Sequence, residues 1–191
     1  MNSSIERNLT SPFFVFLDRD GTLIEEKYYL SKLEDIAFIP GSEAAIARLN
    51  RAGLKVVLVS NQSGVGRGFF TEKFVRQTHE VLQAHLAQHG AHIDAYYFCP
   101  HAPEADCDCR KPKIGMFEQA AQDFKMARCG VMIGDRVSDL EAAANAGLFS
   151  VLVKTGLGAQ SIAEGKVRAD FIAEDLSAAV DWILNRSNEN F

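Results

Sequence analysis

Four stretches of this chain put acids, hydroxyls and cations where packing alone does not ask for them. In DRDGT, Asp18 and Asp20 sit two residues apart on an extended segment, so both carboxylates point the same way, and Gly21 lets the chain turn sharply after them. Like charges that close repel, and the arrangement becomes tolerable when a hard divalent cation sits between them. GDRVSD supplies Asp135 as a further ligand, with Arg136 and Asp139 beside it. A three-carboxylate set with open positions suits Mg²⁺, which keeps waters and shares its coordination with a substrate phosphate. SNQSG (Ser60, Asn61, Gln62, Ser63) and RKP (Arg110, Lys111) add polar groups and positive charge. Taken singly, DxDG is a turn, NQSGVGRG a glycine-rich loop and RKP a surface charge.

A fifth stretch, CPHAPEADCDCRKPK, gathers three of the four cysteines and a histidine within eleven residues. Cys99, His101, Cys107 and Cys109 offer three soft sulfurs and one imidazole, a set suited to tetrahedral zinc. The spacing is C-x-H-x5-C-x-C, and the four ligands leave no open position, so the zinc is expected to be structural. In this reading the metal stands in for the packing a short polar loop lacks, and it delivers Arg110 and Lys111 to the site. Cys129 precedes an apolar run and is expected to pack in the core. His85 and His89 lie at i, i+4 without an evident third ligand and read as solvated; His79 and His92 suggest no function.

The elements that must hold these groups follow from hydrophobic pattern. FFVFL, LKVVLVS, AYYF, GVMIG and FSVLVK are short apolar runs of the kind found in strands buried on both faces. Between them GSEAAIARLNRAG, TEKFVRQTHEVLQAHLAQHG, GMFEQAAQDFKM and SDLEAAANAG have helical spacing; Thr71 is expected to cap the second and Ser138 the fourth. ADFIA and DLSAAVDWILNRS repeat the alternation. The expected fold is α/β, a three-layer Rossmann-like parallel sheet with helices on both faces. Ligands in such folds bind beyond the carboxyl ends of the strands, which is where every stretch above falls. One domain over residues 1–191 is expected, with 1–12 a flexible segment. A net charge of −5 and no basic stripe argue against nucleic acid, no apolar run is long enough for a membrane, and no signal peptide is seen, so a cytoplasmic protein is expected.

FLDRDGTL resembles the first motif of the haloacid-dehalogenase (HAD) superfamily of phosphatases. The resemblance implies that Asp18 is the nucleophile, forming an aspartyl-phosphate, and that Asp20 is the general acid and base. It implies Mg²⁺ held by the Asp18 carboxylate, the Asp20 carbonyl and Asp135, with Asp139 behind them. Ser60 would donate to the transferring phosphoryl, helped by the backbone N–H groups of Asn61 and Gln62, and Lys111 would neutralise it.

The ordered set DRDGT, SNQSGVGRG, CPH-x5-CDCRKPK and GDR-x2-D, from about Phe13 to Gly158, is similar to the D-glycero-D-manno-heptose-1,7-bisphosphate 7-phosphatase family. Such enzymes remove the C7 phosphate of a sugar bisphosphate on the way to the nucleotide-activated heptose of bacterial lipopolysaccharide. The likeness implies substrate contacts at Arg19, Glu26, Lys27, Tyr28, Tyr29, Asn61, Gln62, Ser63, Arg110 and Arg136, the last and Arg110 holding the uncleaved phosphate. Many relatives have Thr in place of Ser60 and some have Lys in place of Arg136. Histidinol-phosphate phosphatases resemble the chain in the same motifs and are the alternative; a nucleic-acid 3′-phosphatase or a zinc-bearing interaction domain fits less well. The gaps between motifs are too short for a large cap domain, so an open site and a monomer are expected.

Overall fold

Alternation along FFVFL sets the layering: Phe13, Val15 and Leu17 enter one apolar core, while Phe14 and Phe16 enter another. This is strand β1 (Phe14–Leu17) of a computed structural model that describes residues 13–188. Residues 1–12, expected to be flexible, lie outside the described residues. β2 (Lys55–Asn61), β3 (Ala95–Cys99), β4 (Gly130–Gly134), β5 (Phe149–Val153) and β6 (Phe171–Ala173) complete a six-stranded sheet. All pairings are parallel and the order is β3-β2-β1-β4-β5-β6.

Helices cover both faces, as the pattern predicts. α1 (Ser42–Arg51), α3 (Glu72–Gln88) and α7 (Leu176–Asn188) bury Ile46, Leu49, Leu82, Leu86, Val180 and Ile183 against the first face. α4 (Gly115–Phe124) and α5 (Val137–Ala146) bury Met116, Phe117, Ala142 and Ala143 against the second. The chain leaves β1 toward β2 on one side and returns through β4 on the other. Its switch point therefore lies between β1 and β4, where a doubly wound sheet opens its crevice. Among the described residues, no cap domain interrupts the connections and no helix is long and apolar enough to cross a membrane.

Three local features depart from the expectations. Ser63–Gly66 of the glycine-rich loop forms a single helical turn, α2, and Gly158–Ala163 forms a short α6 that the pattern did not announce. α5 begins one residue before Ser138: the Asp139 carboxylate accepts from the Arg136 N–H at 3.1 Å, so the cap sits at Arg136. Thr71 caps α3 as expected, its hydroxyl accepting from Phe74 N–H at 3.2 Å. Cys129 is half-buried against the first core.

Candidate active site

β1 and β4 are adjacent and in register, Leu17 opposite Ile133, so the residues after them, Asp18 and Asp135, emerge side by side. Asp139 joins them from the first turn of α5, and one carboxylate oxygen of each lies within 4.8 Å of the others. All three are buried. The backbone comes so close that a Cβ on Gly21 or Gly156 would meet Asp135 Oδ2 at 2.2 or 2.3 Å, which is why both positions are glycine. Asp135 Oδ2 accepts from Leu157 N–H at 2.8 Å, while its Oδ1 is buried with no hydrogen-bond partner. Burial, with the charges of Lys111 opposing and Asp139 and Asp20 adding, pushes Asp18 up to about 6. Burial and the charges of Asp18 and Asp139 push Asp135 up to about 8. An orphaned buried oxygen among three crowded carboxylates fits a hard cation that takes oxygen ligands.

Lys111 is the counter-charge. Its ammonium is 2.9 Å from Asp18 and 2.7 Å from Asp139 and donates to the Val59 carbonyl at 2.8 Å. Burial alone would favour loss of its proton, but Asp139 and Asp18 outweigh it and hold the pKa above the ordinary value, so it stays charged.

The second carboxylate of DRDGT does not join the cluster. Asp20 turns to Arg19, whose guanidinium donates from Nε at 3.1–3.2 Å and from Nη2 at 3.0 Å. Gln62 completes this network: its amide donates to Asp20 Oδ2 at 3.1 Å and to Ser60 Oγ at 2.5 Å, and accepts from Arg19 at 3.1 Å. Arg19, expected to contact substrate, is only 2% exposed and is spent on holding Asp20 and Gln62. The Gln62 N–H, expected to face a phosphoryl group, donates instead to the Cys99 carbonyl at 2.8 Å. His79, buried and stacked on Tyr96, is held neutral, its pKa lowered to about 3 by burial and the Arg19 charge.

The cysteine knot closes beside these groups. Cys99 Sγ lies 3.5 Å from Cys107 Sγ and 3.6 Å from His101 Nδ1; Cys109 Sγ lies 3.4 Å from Cys107 Sγ and 3.3 Å from His101 Nδ1. A tetrahedral zinc with bonds of about 2.0–2.3 Å requires edges of about 3.5–3.8 Å, and the four separations, 3.3–3.6 Å, come within a few tenths of an ångström of that frame. The sulfurs are far beyond the S–S bond length of about 2.05 Å, and Cys99, Cys107 and Cys109 form no disulfide. The glycine-rich NQSGVGRG loop docks on the knot: Gly66 N–H donates to the Pro100 carbonyl at 2.8 Å, and a Cβ there would meet Ala102 N at 2.4 Å.

Comparison with known proteins decides the family. Residues 108–179 match the HAD-hydrolase-like family model. The D-glycero-D-manno-heptose-1,7-bisphosphate 7-phosphatase of Thermosynechococcus vestitus is 44% identical over 186 residues, 88% of this chain and 94% of that one. The chain belongs to this phosphatase family. The Haemophilus ducreyi relative, a D-glycero-beta-D-manno-heptose-1,7-bisphosphate 7-phosphatase, is 41% identical over 88% of this chain and 97% of its own. The crystal structure of D,D-heptose 1,7-bisphosphate phosphatase from B. bronchiseptica, complexed with magnesium and phosphate, superposes with a TM-score of 0.85. It is 37% identical, covering 91% of this chain and 98% of that one.

In this heptose-bisphosphate phosphatase family member the site opens as a cavity of about 340 Å³. Of the expected residues, Asp18, Arg19, Asp20, Glu26, Tyr28, Tyr29, Ser60, Asn61, Gln62, Ser63, Arg110, Lys111, Arg136 and Asp139 line it. Asp135 lies beneath, and Lys27 stands apart, its ammonium 2.9 Å from Glu25 on the outside. Arg136 bridges the rim to Glu26 at 2.6 Å, and Glu26 also accepts from Tyr28 N–H at 2.7 Å. Tyr28 is 86% exposed and holds a φ of 62°, a left-handed conformation that costs a non-glycine residue about 1–2 kcal/mol. Arg110 Nη1 is buried without a partner.

Arg67, Phe70 and Pro103 also line the cavity and were missed, as was Leu157. A lone Arg in a glycine-rich loop carries no periodic signal, and Leu157 arrives from beyond β5. The reading of His85 as solvated is corrected: its Nε2 lies 3.0 Å from Glu43 on α1 and its ring stacks on Phe38 at 4.2 Å. His89 is exposed and bonds through Nδ1 to the His85 carbonyl at 3.0 Å.

Proposed function

We propose that the protein is a Mg²⁺-dependent phosphatase that removes the C7 phosphate of D-glycero-D-manno-heptose 1,7-bisphosphate and leaves the 1-phosphate. The observation that carries the reading is the buried, cation-seeking acid cluster with Lys111 on one side and unpaired Arg110 at the mouth. A primary phosphate fits the cluster, and a second phosphate, several bonds away, meets the arginines. Arg110 and Arg136 supply the bidentate fork that matches phosphate oxygens.

In the first step an Asp18 oxygen attacks phosphorus, the bond to the C7 oxygen breaks, and Asp20 gives that oxygen its proton. In the second, water attacks the aspartyl-phosphate, Asp20 takes the water's proton, and Asp18 is released with inorganic phosphate. Asp20 must leave Arg19 and Gln62 to reach the leaving oxygen, and they retain it between turnovers. Ser60 and Lys111 donate to the phosphoryl oxygens as charge moves onto them. Asp18, Asp135 and the Asp20 carbonyl would hold Mg²⁺, which supplies further neutralisation of the phosphoryl group. Cys99, His101, Cys107 and Cys109 would hold a structural Zn²⁺. The undisulfided cysteines of the knot suit a reducing cytoplasm, and a single domain acting as a monomer suffices for the chemistry.

The deciding assay is Mg²⁺-dependent phosphate release from both anomers of heptose 1,7-bisphosphate, from histidinol phosphate and from a 3′-phosphorylated oligonucleotide. One heptose anomer should exceed the other two classes by at least about 100-fold in kcat/KM, the discrimination expected when the uncleaved phosphate is recognised. Preference for histidinol phosphate would overturn the reading.

Two expectations concern the metals. Without Mg²⁺ the raised pKa values of Asp18 and Asp135 stabilise the fold only while those acids keep their protons. That contribution is fully present below the unfolded value near 4 and is lost as pH rises through about 6 and then about 8. The melting temperature of magnesium-free protein should therefore fall across that window, and added Mg²⁺ should flatten the fall; identical profiles with and without Mg²⁺ would contradict the metal assignment. Cys109→Ser should release about one equivalent of zinc and let Arg110 wander. Loss of one charge-assisted contact of about 1.5–3 kcal/mol translates into a rise of roughly 10–150-fold in KM. Zinc analysis and steady-state kinetics check this, and an unchanged KM in zinc-free protein would contradict it.

A further inference from the structure

We infer that the side chain of Asn61 is the positioning residue for Lys111, fixing the cation from strand β2 independently of the metal knot that precedes it in sequence. The Asn61 amide spans fifty positions of sequence and takes hold of one residue's backbone twice: its Nδ2 donates to the Lys111 carbonyl at 3.0 Å, and its Oδ1 accepts from the Lys111 N–H at 3.0 Å. This reciprocal pair copies the exchange made by two opposed residues of an antiparallel ladder. It carries strand-like pairing from β2 into a loop that has no strand of its own.

The far end of Lys111 is registered on the same strand. Its ammonium donates to the Val59 carbonyl at 2.8 Å before it reaches Asp18 and Asp139. Val59, Ser60 and Asn61 are consecutive, so β2 holds the Ser60 hydroxyl and both ends of Lys111 in one rigid frame. β2 is itself pinned between β1 and β3 along its length. The zinc ligands end at Cys109 and Arg110 follows directly, while Lys111 is anchored by contacts that do not pass through the knot. The two adjacent cations thus have separate supports: the knot for Arg110, the Asn61 amide for Lys111. Both oxygen and nitrogen of that amide are engaged, so its part is to place Lys111 rather than to bind substrate.

The inference rests on Lys111 neutralising the transferring phosphoryl group, and a double-mutant cycle separates it from that reading. Asn61→Ala should lower kcat about 100-fold with KM within about twofold, as expected when a misplaced group loses an interaction made in the transition state. Asn61→Asp fills the same space but loses the donor, and should fall with it, which excludes a simple cavity effect. In a Lys111→Ala background, Asn61→Ala should cost less than about twofold more, because the residue it places is gone. An equal cost in both backgrounds, or a loss expressed in KM, would overturn the inference. A Lys111→Ala enzyme with wild-type kcat would instead overturn the role given to Lys111. A crystal structure of Asn61→Ala tests placement without kinetics: Lys111 should leave the Val59 carbonyl while the zinc ligands stay in place, and an unmoved Lys111 would refute the positioning role.

Discussion

Asp18→Asn should abolish turnover, by at least about 10⁴-fold in kcat, while the protein folds and becomes harder to melt in the absence of Mg²⁺. The loss of rate follows from chemistry: an amide cannot form the acyl phosphate, and removal of a nucleophile costs about as much as removal of the whole catalytic unit. The gain in stability follows from electrostatics. Asp18 is buried in the acid cluster, and burial, with the charges of Asp139 and Asp20 adding, raises its pKa to about 6 despite Lys111. Above that pH the wild-type fold bears the cost of an ionised, crowded carboxylate, and Asn does not. An advantage of about 1–2 kcal/mol corresponds to roughly 2–8 °C for a chain of this size. Below about pH 4, where both states of the wild-type carboxyl are protonated, the difference should vanish. Thermal melts across pH, paired with single-turnover assays, check both halves; retained turnover would end the nucleophile assignment.

Lys111→Met should lose both activity and stability. Its ammonium is buried and paired with two carboxylates and a carbonyl, so removing it strands Asp18 and Asp139 in the interior. Breaking a buried pair by deleting one partner costs about 3–5 kcal/mol. Asp18 escapes part of that cost by taking up a proton, since Lys111 is what lowers its pKa in the intact site. The destabilisation should therefore be smallest near pH 5 and grow as pH rises, the sign expected when folded-state carboxyl pKa values move up. Mg²⁺ should recover some stability and little rate, since phosphoryl transfer loses an electrostatic donor worth about 10²–10³-fold. Chemical denaturation at two pH values and kcat measurement check this; equal destabilisation at both pH values would contradict the pairing.

The strand ends were legible in the sequence because apolar runs buried on both faces are continuous, and whatever polar residue follows them lands at the carboxyl edge of the sheet. That rule places Asp18, Ser60 and Asp135 at the carboxyl edge, where β1, β2 and β4 end in the fold. It also located Cys99, whose thiol continues the second core as well as the knot. Local spacing was less informative about which way a side chain turns. Asp18 and Asp20 look equivalent in DRDGT, yet Arg19 between them pulls Asp20 out of the acid cluster, and Asp139 from the first turn of α5 takes its place. Proximity in sequence misled at Lys27, which pairs with Glu25 outside the cavity. Long-range polar pairs left no trace at all: Asn61 with Lys111, Glu43 with His85, Leu157 N–H with Asp135. No period or motif links positions that only the fold brings together.

The most direct test follows both phosphates of one molecule. Incubated with enzyme and Mg²⁺, heptose 1,7-bisphosphate gives distinct ³¹P resonances for the C1 and C7 groups and for free phosphate. The C7 signal should be replaced stoichiometrically by inorganic phosphate while the C1 signal persists, and Asp18→Asn should leave both untouched. Release from C1, or equal release from both positions, would contradict an account in which the acid cluster takes the primary phosphate and the arginines keep the other.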